Sequence, residues 1–255
     1  MAMNSSQRRS VVGIVPAAGR ATRLPDRACS KELLPVGPRL ISEYLVESMR
    51  DAGAERVCMV IAADKHDLVR FYGSGDRHGV PIAYLCQDNA TGMSDAIDLA
   101  EPWLRDATVL MGMPDTIVRP HDSLSQVREL LERKQCDIVL AVAPTDEPGR
   151  LGPVNIDRSG RVIEVLDKPS SPPHNLVWTV ACWSPRFTEF LHEQLAVQPR
   201  VRAEAPLGLI FQDAIAAGFD VRAITFTGGC YIDAGTVDGL AAAQRLMAGL
   251  TTARG

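Results

Sequence analysis

Short apolar runs alternate with amphipathic segments along the first part of the chain, and this alternation is the feature that most constrains its fold. The apolar runs at 11–16, 57–63 and 108–111 have the length of buried strands, whereas 40–52 and 123–134 repeat apolar residues at helical spacing. The pattern predicts an α/β fold, with a mostly parallel central sheet and helices on both of its faces. The same criteria predict further strands at 81–87, 137–143, 177–183 and 221–226, and further helices at 65–72, 92–100, 186–194, 209–217 and 238–248.

The second half of the chain departs from this alternation with a hairpin signal. Residues 155–163 have the pattern of two short strands joined by a turn that runs from Asp157 to Gly160. A chain of 255 residues suits one large α/β domain, and no repeat or long linker divides it. We therefore predict a single domain, 1–255, with two lobes that divide within 116–150.

Composition and charge exclude several classes of protein. With a net charge of −4, the chain has no electrostatic reason to bind nucleic acid. No apolar run approaches the roughly 20 residues that a membrane-spanning helix requires, so no membrane association is expected. The six cysteines are scattered singly, without a C-x-x-C pair or a histidine at metal-ligand spacing. That usage favours reduced thiols and a cytoplasmic location.

A loop of small and basic residues follows the first predicted strand. It reads Val15-Pro16-Ala17-Ala18-Gly19-Arg20-Ala21-Thr22-Arg23-Leu24, and a second segment reads Lys31-Glu32-Leu33-Leu34-Pro35-Val36. Small side chains let backbone N–H groups approach a polyphosphate closely, and a guanidinium offers planar donors to phosphate oxygens. On these residues alone, an ordinary strand-to-helix turn with exposed basic side chains explains the loop equally well. Neither a P-loop nor a G-x-G-x-x-G fingerprint is present, which argues against a P-loop ATPase and a nicotinamide dehydrogenase.

These two segments resemble the opening motifs of the sugar-1-phosphate nucleotidyltransferases, L-A-G-G-x-G-T-R-L and K-x-L-L-P-V. Pro16 before the small residues and the pair Lys31-Glu32 look most like UTP–glucose-1-phosphate uridylyltransferases. The chain also lacks the P-x-T of glucose-1-phosphate thymidylyltransferases. The resemblance spans nearly the whole chain. It implies a Rossmann-like, glycosyltransferase-A-type nucleotidyltransferase fold with a mixed sheet and a small β-rich sugar-binding lobe. It also implies that 11–115 form a nucleotide-binding lobe, 116–240 a sugar-phosphate-binding lobe, and 238–255 a C-terminal helix and tail.

The resemblance assigns the first loop to a nucleoside triphosphate. It implies that Ala17, Ala18 and Gly19 border the nucleotide. Arg23 is expected to bind the triphosphate and the departing pyrophosphate, and Lys31 to contact the α-phosphate region.

Gln87 and Gly92 resemble the stretch with which the family reads the base. A side-chain amide offers both a donor and an acceptor, as the edge of uracil or thymine requires, and a glycine lets its backbone N–H reach the ring. Taken alone, a surface Gln is almost always simply solvated, so this role depends on register with the family motif.

Two aspartates match the metal-binding carboxylates of the family. Asp115 follows the strand at 108–111, and Asp233 lies in Tyr231-Ile232-Asp233-Ala234-Gly235-Thr236, which resembles W-L-D-T-G-T. Mg²⁺ prefers octahedral oxygen coordination and keeps several waters, so two carboxylates and substrate oxygens make a plausible site. The competing interpretations are structural. Asp115 is then a turn or capping residue, and Asp233 is the N-cap of the next helix, a role open also to Thr236 or Asp238.

Four residues match the family motifs that bind the acceptor, the sugar 1-phosphate. Gly152 lies in a segment that resembles [FY]-G-x-[VI]. Asp167 and Lys168 lie in one that resembles E-E-K-P, whose acid binds sugar hydroxyls and whose lysine binds the sugar phosphate. Asp167 is one methylene shorter than the usual Glu, which points to a different sugar or a non-sugar phosphate. Thr179 stands at the T-G of the family, where Val180 replaces the glycine and is expected to narrow the site. Without the resemblance, Asp167 and Lys168 indicate only a solvated turn.

The resemblance as a whole predicts a Mg²⁺-dependent enzyme. It would transfer a nucleotidyl group from UTP or dTTP to a sugar 1-phosphate, give an NDP-sugar and pyrophosphate, and form a homodimer or homotetramer. A cytidylyltransferase that acts on phosphocholine or another small phosphate shares the opening loop and stays open. A non-catalytic nucleotide-sugar-binding regulatory protein of the same fold is the third interpretation. The presence of Arg23, Lys31, Asp115 and Asp233 argues against it.

Lysine is scarce in this chain, because 23 of the 27 basic residues are Arg. Two of the four lysines, Lys31 and Lys168, stand where the resemblance requires a compact ammonium beside phosphate. A planar guanidinium is not equivalent there. We therefore expect Lys31→Arg and Lys168→Arg to impair catalysis, and the same change at Lys65 or Lys134 to leave it intact.

Overall fold

The computed structural model describes residues 9–19, 29–89, 91–197 and 205–252 of the chain. The elements of the first half are β1 (Val11–Ala17), β2 (Pro35–Val36), β3 (Arg39–Leu40), α1 (Ile41–Asp51), β4 (Arg56–Ala62), α2 (His66–Tyr72), β5 (Ile82–Gln87), α3 (Met93–Leu99), α4 (Glu101–Leu104), β6 (Thr108–Met111), β7 (Thr116–Arg119) and α5 (Ser123–Lys134). Those of the second half are β8 (Ile138–Pro144), β9 (Val154–Ile156), β10 (Val162–Val165), β11 (Leu176–Trp183), α6 (Pro185–Val197), α7 (Leu207–Ala216), β12 (Val221–Thr225), β13 (Cys230–Asp233) and α8 (Val237–Thr252). Each strand and helix that the sequence pattern predicts is present, with bounds shifted by no more than a few residues.

A seven-stranded sheet forms the centre of the fold, with the strand order β12-β8-β11-β6-β1-β4-β5. Neighbouring strands are parallel except at β11, which runs antiparallel to both β6 and β8. The structure therefore confirms the predicted α/β fold with a mixed, mostly parallel sheet.

Both faces of the sheet are apolar, and helices cover both. Along β1, Val12 and Ile14 face one core while Val11 and Val15 face the other, because successive side chains of a strand point to opposite faces. The first core contains residues of α3, α4, α6 and α7, and the second contains residues of α1, α2 and α5. The two sheet faces are consequently lined mainly by apolar side chains, and charged side chains collect at the strand ends.

An aromatic cluster in the first core fixes the antiparallel strand. The Phe211 ring of α7 lies 5.6 Å from the Trp178 ring and 5.3 Å from that of Phe187, measured between centroids. Trp183, from the far end of β11, lies 5.4 Å from Phe187. Strand β11 is thus held against α6 and α7 along its length.

A third, smaller core lies under the C-terminal helix. Leu240, Ala243 and Met247 of α8 pack there with Ile117 of β7 and Ile41 of α1. Two short antiparallel ladders, β7 with β13 and β2 with β3, belong to this region. The sequence analysis missed all four strands, because strands of two to four residues with half-buried side chains carry too little pattern to recognise.

The predicted hairpin is present as β9 and β10, which pair antiparallel. Its turn closes through a hydrogen bond from the Gly160 backbone N–H to the Asp157 carbonyl oxygen, 3.0 Å long. Gly160 has φ = 80°, a left-handed conformation that glycine adopts without strain.

We find no helix, among the residues that the structure describes, with the length and apolar character needed to cross a membrane.

Candidate active site

A cavity of about 640 Å³ opens where the parallel strands β1, β5 and β6 end, and residues of both predicted lobes line it. Open α/β sheets bind ligands at this edge, since the carboxyl ends of parallel strands leave a crevice there. The structure brings ten of the sequence-predicted site residues to its wall. They are Ala18, Gly19, Lys31, Gln87, Gly92, Asp115, Gly152, Asp167, Lys168 and Asp233.

Two other predicted residues, Ala17 and Thr179, are not in that wall. Ala17 is buried at the end of β1, and its carbonyl oxygen accepts a hydrogen bond from Lys65 Nζ at 2.6 Å. Thr179 is fully buried in β11. Arg23 belongs to the segment 20–28, which lies outside the described residues.

A mostly buried ion pair joins two of the predicted catalytic residues. Lys31 Nζ lies 2.5 Å from Asp115 Oδ2, and the two side chains are 15% and 12% exposed. Burial disfavours the charged ammonium, but attraction by Asp115, Glu32 and Asp233 outweighs it and raises the pKa of Lys31. Lys31 is therefore a protonated donor at neutral pH, held among carboxylates and facing the cavity.

The two metal-candidate aspartates approach each other through the small ladder between β7 and β13. Asp233 is the register partner of Thr116, the residue after Asp115. The backbone N–H of Ala234 also donates to the Asp115 carbonyl oxygen at 2.9 Å. Sequence reasoning predicted that both aspartates belong to one site but missed the ladder that joins them.

The competing role for Asp233, as the cap of α8, falls to another residue. Thr236 Oγ1 accepts the backbone N–H of Gly239 at 3.0 Å, which is the bond of an N-cap. Asp233 Oδ1 instead accepts the Gly235 N–H at 2.8 Å, and its side chain lines the cavity.

The chemistry of this donor set fits Mg²⁺. Within the described part of the chain, no three His, Cys, Asp or Glu side chains are arranged to hold a metal ion. Mg²⁺ commonly binds through one or two carboxylates together with substrate phosphates and waters, so Asp115 and Asp233 meet that requirement without a third ligand.

Backbone hydrogen bonds bring the acceptor-side residues together. The Lys168 N–H donates to the Leu151 carbonyl and the Leu166 N–H to the Pro153 carbonyl, each at 2.9 Å. These bonds place Asp167 and Lys168 beside Gly152. Lys168 has φ = 42°, a left-handed conformation that is costly for a residue with a side chain and that often marks a functional site.

The cavity wall also includes Trp178, which the sequence analysis passed over. Its side chain is 9% exposed and packs against Phe211 behind it. A Cβ atom at position 152 would lie only 2.2 Å from Trp178 Nε1. The indole ring therefore leaves room only for glycine at this position. Arg150, just before this segment, is a second lining residue that was not predicted.

A bulge in β11 explains why Trp178, and not Thr179 or Val180, reaches the site. The register against β8 shifts between Trp178 and Val180, which breaks the alternation of faces. The Thr179 hydroxyl donates to the Ala141 carbonyl oxygen at 3.2 Å. Val180 packs in the second core, on the other face of the sheet. The expectation that Val180 narrows the cavity is therefore wrong.

Comparison with known proteins identifies the family of this chain. The model of the family described as nucleotidyl transferase matches residues 12–248. The chain belongs to the nucleotidyl transferase family. The expected kinship with sugar-1-phosphate nucleotidyltransferases is thereby confirmed.

Relatives with assigned activities include both nucleotide types that the sequence suggests. A glucose-1-phosphate thymidylyltransferase of Streptomyces griseus is 28% identical over 94% of this chain and 67% of its own length. The UTP–glucose-1-phosphate uridylyltransferase AglF of Haloferax volcanii is 29% identical over 84% of this chain and 88% of its own length. Two further relatives are longer, and the chain spans only 58% and 60% of their length.

A solved structure supports the fold. A Bacillus anthracis protein described as a glucose-1-phosphate thymidylyltransferase, crystallised with sucrose, superposes with a TM-score of 0.85. It is 24% identical, and the match covers 93% of this chain and 95% of that one. The nucleotidyltransferase fold that the resemblance implied is therefore confirmed.

Substitution of Gly152 tests the packing of the nucleotidyl transferase cavity. Gly152→Ala forces its Cβ into the indole of Trp178, which Phe211 prevents from retreating. We expect the free energy of unfolding to fall by about 1–3 kcal/mol in urea denaturation. Gly228→Ala is the control, because a Cβ at that position meets no atom within 4 Å. Equal stability of the two variants would contradict this packing.

Proposed function

We propose that this protein transfers a nucleotidyl group from UTP or dTTP to a sugar 1-phosphate and releases pyrophosphate. The observation that carries the proposal is the joint placement of Lys31, Asp115 and Asp233 with Gln87 and Lys168 around one cavity. These residues come from five separate places in the chain, and each matches a family motif. The relatives that carry the names of thymidylyl- and uridylyltransferases support the same reaction class.

The reaction needs charge neutralisation more than acid–base chemistry. The attacking phosphate oxygen of the acceptor is already an anion, so no strong general base is required. The protein has to align the acceptor with the α-phosphate and offset negative charge on the pentavalent centre and on the departing pyrophosphate. We assign Lys31 to the α-phosphate, Arg23 to the triphosphate and pyrophosphate, and Lys168 to the acceptor phosphate.

The remaining polar residues select the two substrates. Gln87 Nε2 lies 3.3 Å from Thr91 Oγ1, a weak contact that a pyrimidine edge can replace. Gly92 has φ = 125° and is the N-cap residue directly before α3, so its backbone can approach a base closely. On the acceptor side we assign Asp167 to the hydroxyl groups of the sugar.

We also propose that Asp115 and Asp233 hold Mg²⁺ beside the triphosphate. When bound, the ion would supply positive charge to the α-phosphate and the pyrophosphate. Lys31 lies within hydrogen-bond distance of Asp115 and provides that carboxylate with its counter-charge.

A cytoplasmic location belongs to the same proposal. All six cysteines, each within the described residues, are free thiols, as expected in a reducing compartment. The expected homodimer or homotetramer stays a prediction.

A pyrophosphate-release screen tests the function directly. The common nucleoside triphosphates are paired with a panel of sugar 1-phosphates and with phosphocholine, and UTP or dTTP with a hexose 1-phosphate is expected to be fastest. Lys31→Ala and Arg23→Ala should each lower turnover roughly 100-fold, because each removes a contact to charge that develops in the transition state. Activity with CTP and phosphocholine alone would favour the cytidylyltransferase alternative. Absence of release with every pair would favour a non-catalytic role.

Arginine substitutions test whether a compact ammonium is required. Lys31→Arg should lower turnover, because a planar guanidinium cannot occupy the narrow space between Asp115 and the cavity with the same geometry. Lys168→Arg should impair use of the acceptor for the same reason. Lys134→Arg is the matched control, since Lys134 is exposed at the end of α5. Unchanged kinetics in the Lys31 and Lys168 variants would contradict both assignments.

Neutralising the aspartates tests the metal assignment. Asp233→Asn and Asp115→Asn keep the side-chain size but weaken cation binding. We expect the Mg²⁺ concentration for half-maximal activity to rise roughly ten-fold or more. Asp106→Asn, at an exposed site, is the control. Mg²⁺ titrations that superpose for all four proteins would contradict the assignment.

A further inference from the structure

A buried lysine lies next to the first loop but outside the cavity wall. The Lys65 side chain is 10% exposed and stands at the start of α2. Its Nζ lies 2.6 Å from the Ala17 carbonyl oxygen, 2.8 Å from the Gly19 carbonyl oxygen and 2.7 Å from Glu32 Oε1. An ammonium has three hydrogens to donate, and these three oxygens accept all of them.

The partner carboxylate is as unusual as the lysine. Glu32 is fully buried, and the residue is held from the other side by the Ser42 hydroxyl, which donates to the Glu32 carbonyl oxygen at 2.7 Å. Burial raises the pKa of Glu32, and the charge of Lys65 opposes that rise. Buried ion pairs seldom add much stability compared with apolar residues, so this pair calls for another explanation.

The position of the pair in the chain supplies that explanation. Glu32 directly follows Lys31, which faces the cavity, whereas Ala17 and Gly19 directly precede the segment 20–28. Lys65 therefore connects the chain before that segment with the chain after it.

A second contact from the same helix acts in parallel. Asp67 Oδ2 accepts the backbone N–H of Ser30 at 2.6 Å, and Asp67 Oδ1 accepts the Ser30 hydroxyl at 2.7 Å. The start of α2 thus holds Gly19 and Ser30, on either side of the segment that carries Arg20 and Arg23. An exposed lysine such as Lys134 has no comparable set of contacts.

We propose that Lys65 is a positioning residue for nucleotide binding. Its ammonium fixes the Ala17 and Gly19 carbonyls relative to Glu32, and so holds the chain at Ala17–Gly19 and Lys31 in the arrangement that accepts a triphosphate. This rests on the proposed function of the cavity. It also separates Lys65 from Lys134, which the sequence analysis treated as equivalent.

The kinetic test separates positioning from simple stability. Lys65→Met leaves Glu32 buried without its partner and is expected to destabilise the fold. The double variant Lys65→Met/Glu32→Gln removes both charges and restores a neutral interior, but it does not restore the bonds to Ala17 and Gly19. We expect this variant to fold, to raise the KM for the nucleoside triphosphate roughly ten-fold or more, and to change the KM for the acceptor less than about two-fold.

Two controls accompany the double variant. Glu32→Gln alone keeps Lys65 and its contacts to the Ala17 and Gly19 carbonyls, and the amide oxygen of the new side chain can still accept a hydrogen bond from Lys65. This variant should therefore alter the triphosphate KM far less. Lys134→Met removes an exposed charge and should leave both KM values unchanged. A folded double variant with the triphosphate KM of the parent protein would overturn the proposal.

Hydrogen–deuterium exchange of the substrate-free protein gives a readout that does not depend on activity. In the double variant, backbone amides of Ala18, Gly19 and the Lys31–Leu33 turn should exchange roughly ten-fold faster, whereas those in α5 should not change. Unchanged exchange at the loop would overturn the proposal even if activity is lost. Faster exchange in a protein that releases pyrophosphate with no substrate pair would support the positioning role and reject the proposed function.

Discussion

The central sheet is apolar on both faces, and the rest of the structure depends on the need to cover both. Two layers of helices bury Val12 and Ile14 on one side of β1 and Val11 and Val15 on the other. Polar side chains that have to act together are thereby displaced to the ends of the strands. The parallel strands β1, β5 and β6 end at one edge, and this shared direction gathers the charged residues around a single cavity.

The turn at Lys31–Leu33 connects the two buried ion pairs of this region. Lys31 pairs with Asp115 at the cavity, and the next residue, Glu32, pairs with Lys65, which also contacts the Ala17 and Gly19 carbonyls. Adjacent residues in a tight turn point in different directions, so one turn can present a cation to the cavity and anchor itself through an anion. The arrangement explains why a protein that uses arginine almost everywhere keeps lysine at these places, because an ammonium fits between closely spaced oxygens where a guanidinium does not.

Much of the fold was predictable because strands and helices differ in the period of their apolar residues. The helix at Ser123–Lys134 and the strand at Thr108–Met111 were predicted with their observed bounds. The direction of β11 was not predictable, since periodicity carries no information about whether a strand runs parallel or antiparallel to its neighbours. The short strands β7 and β13 were missed for lack of pattern, although their pairing is what brings Asp115 and Asp233 together.

The candidate site, like the fold, was predicted only in part. The resemblance to the family was enough to select ten residues of the cavity wall, because its motifs occur in this chain in the family's order. It misjudged Thr179 and Val180, because one bulge in β11 reverses which side chains face the cavity, and a bulge leaves no mark in the apolar pattern. It also could not distinguish Lys65 from Lys134.

The amino-acid sequence by itself determined the fold class and the family, since these follow from local periodicity and from short motifs. Only the tertiary structure decided that Trp178 forms the wall beside Gly152, that the β7–β13 ladder joins the two aspartates, and that Lys65 is buried against the loop. Each of these depends on contacts between residues far apart in the chain, whose distances and directions are set by packing and not by local sequence.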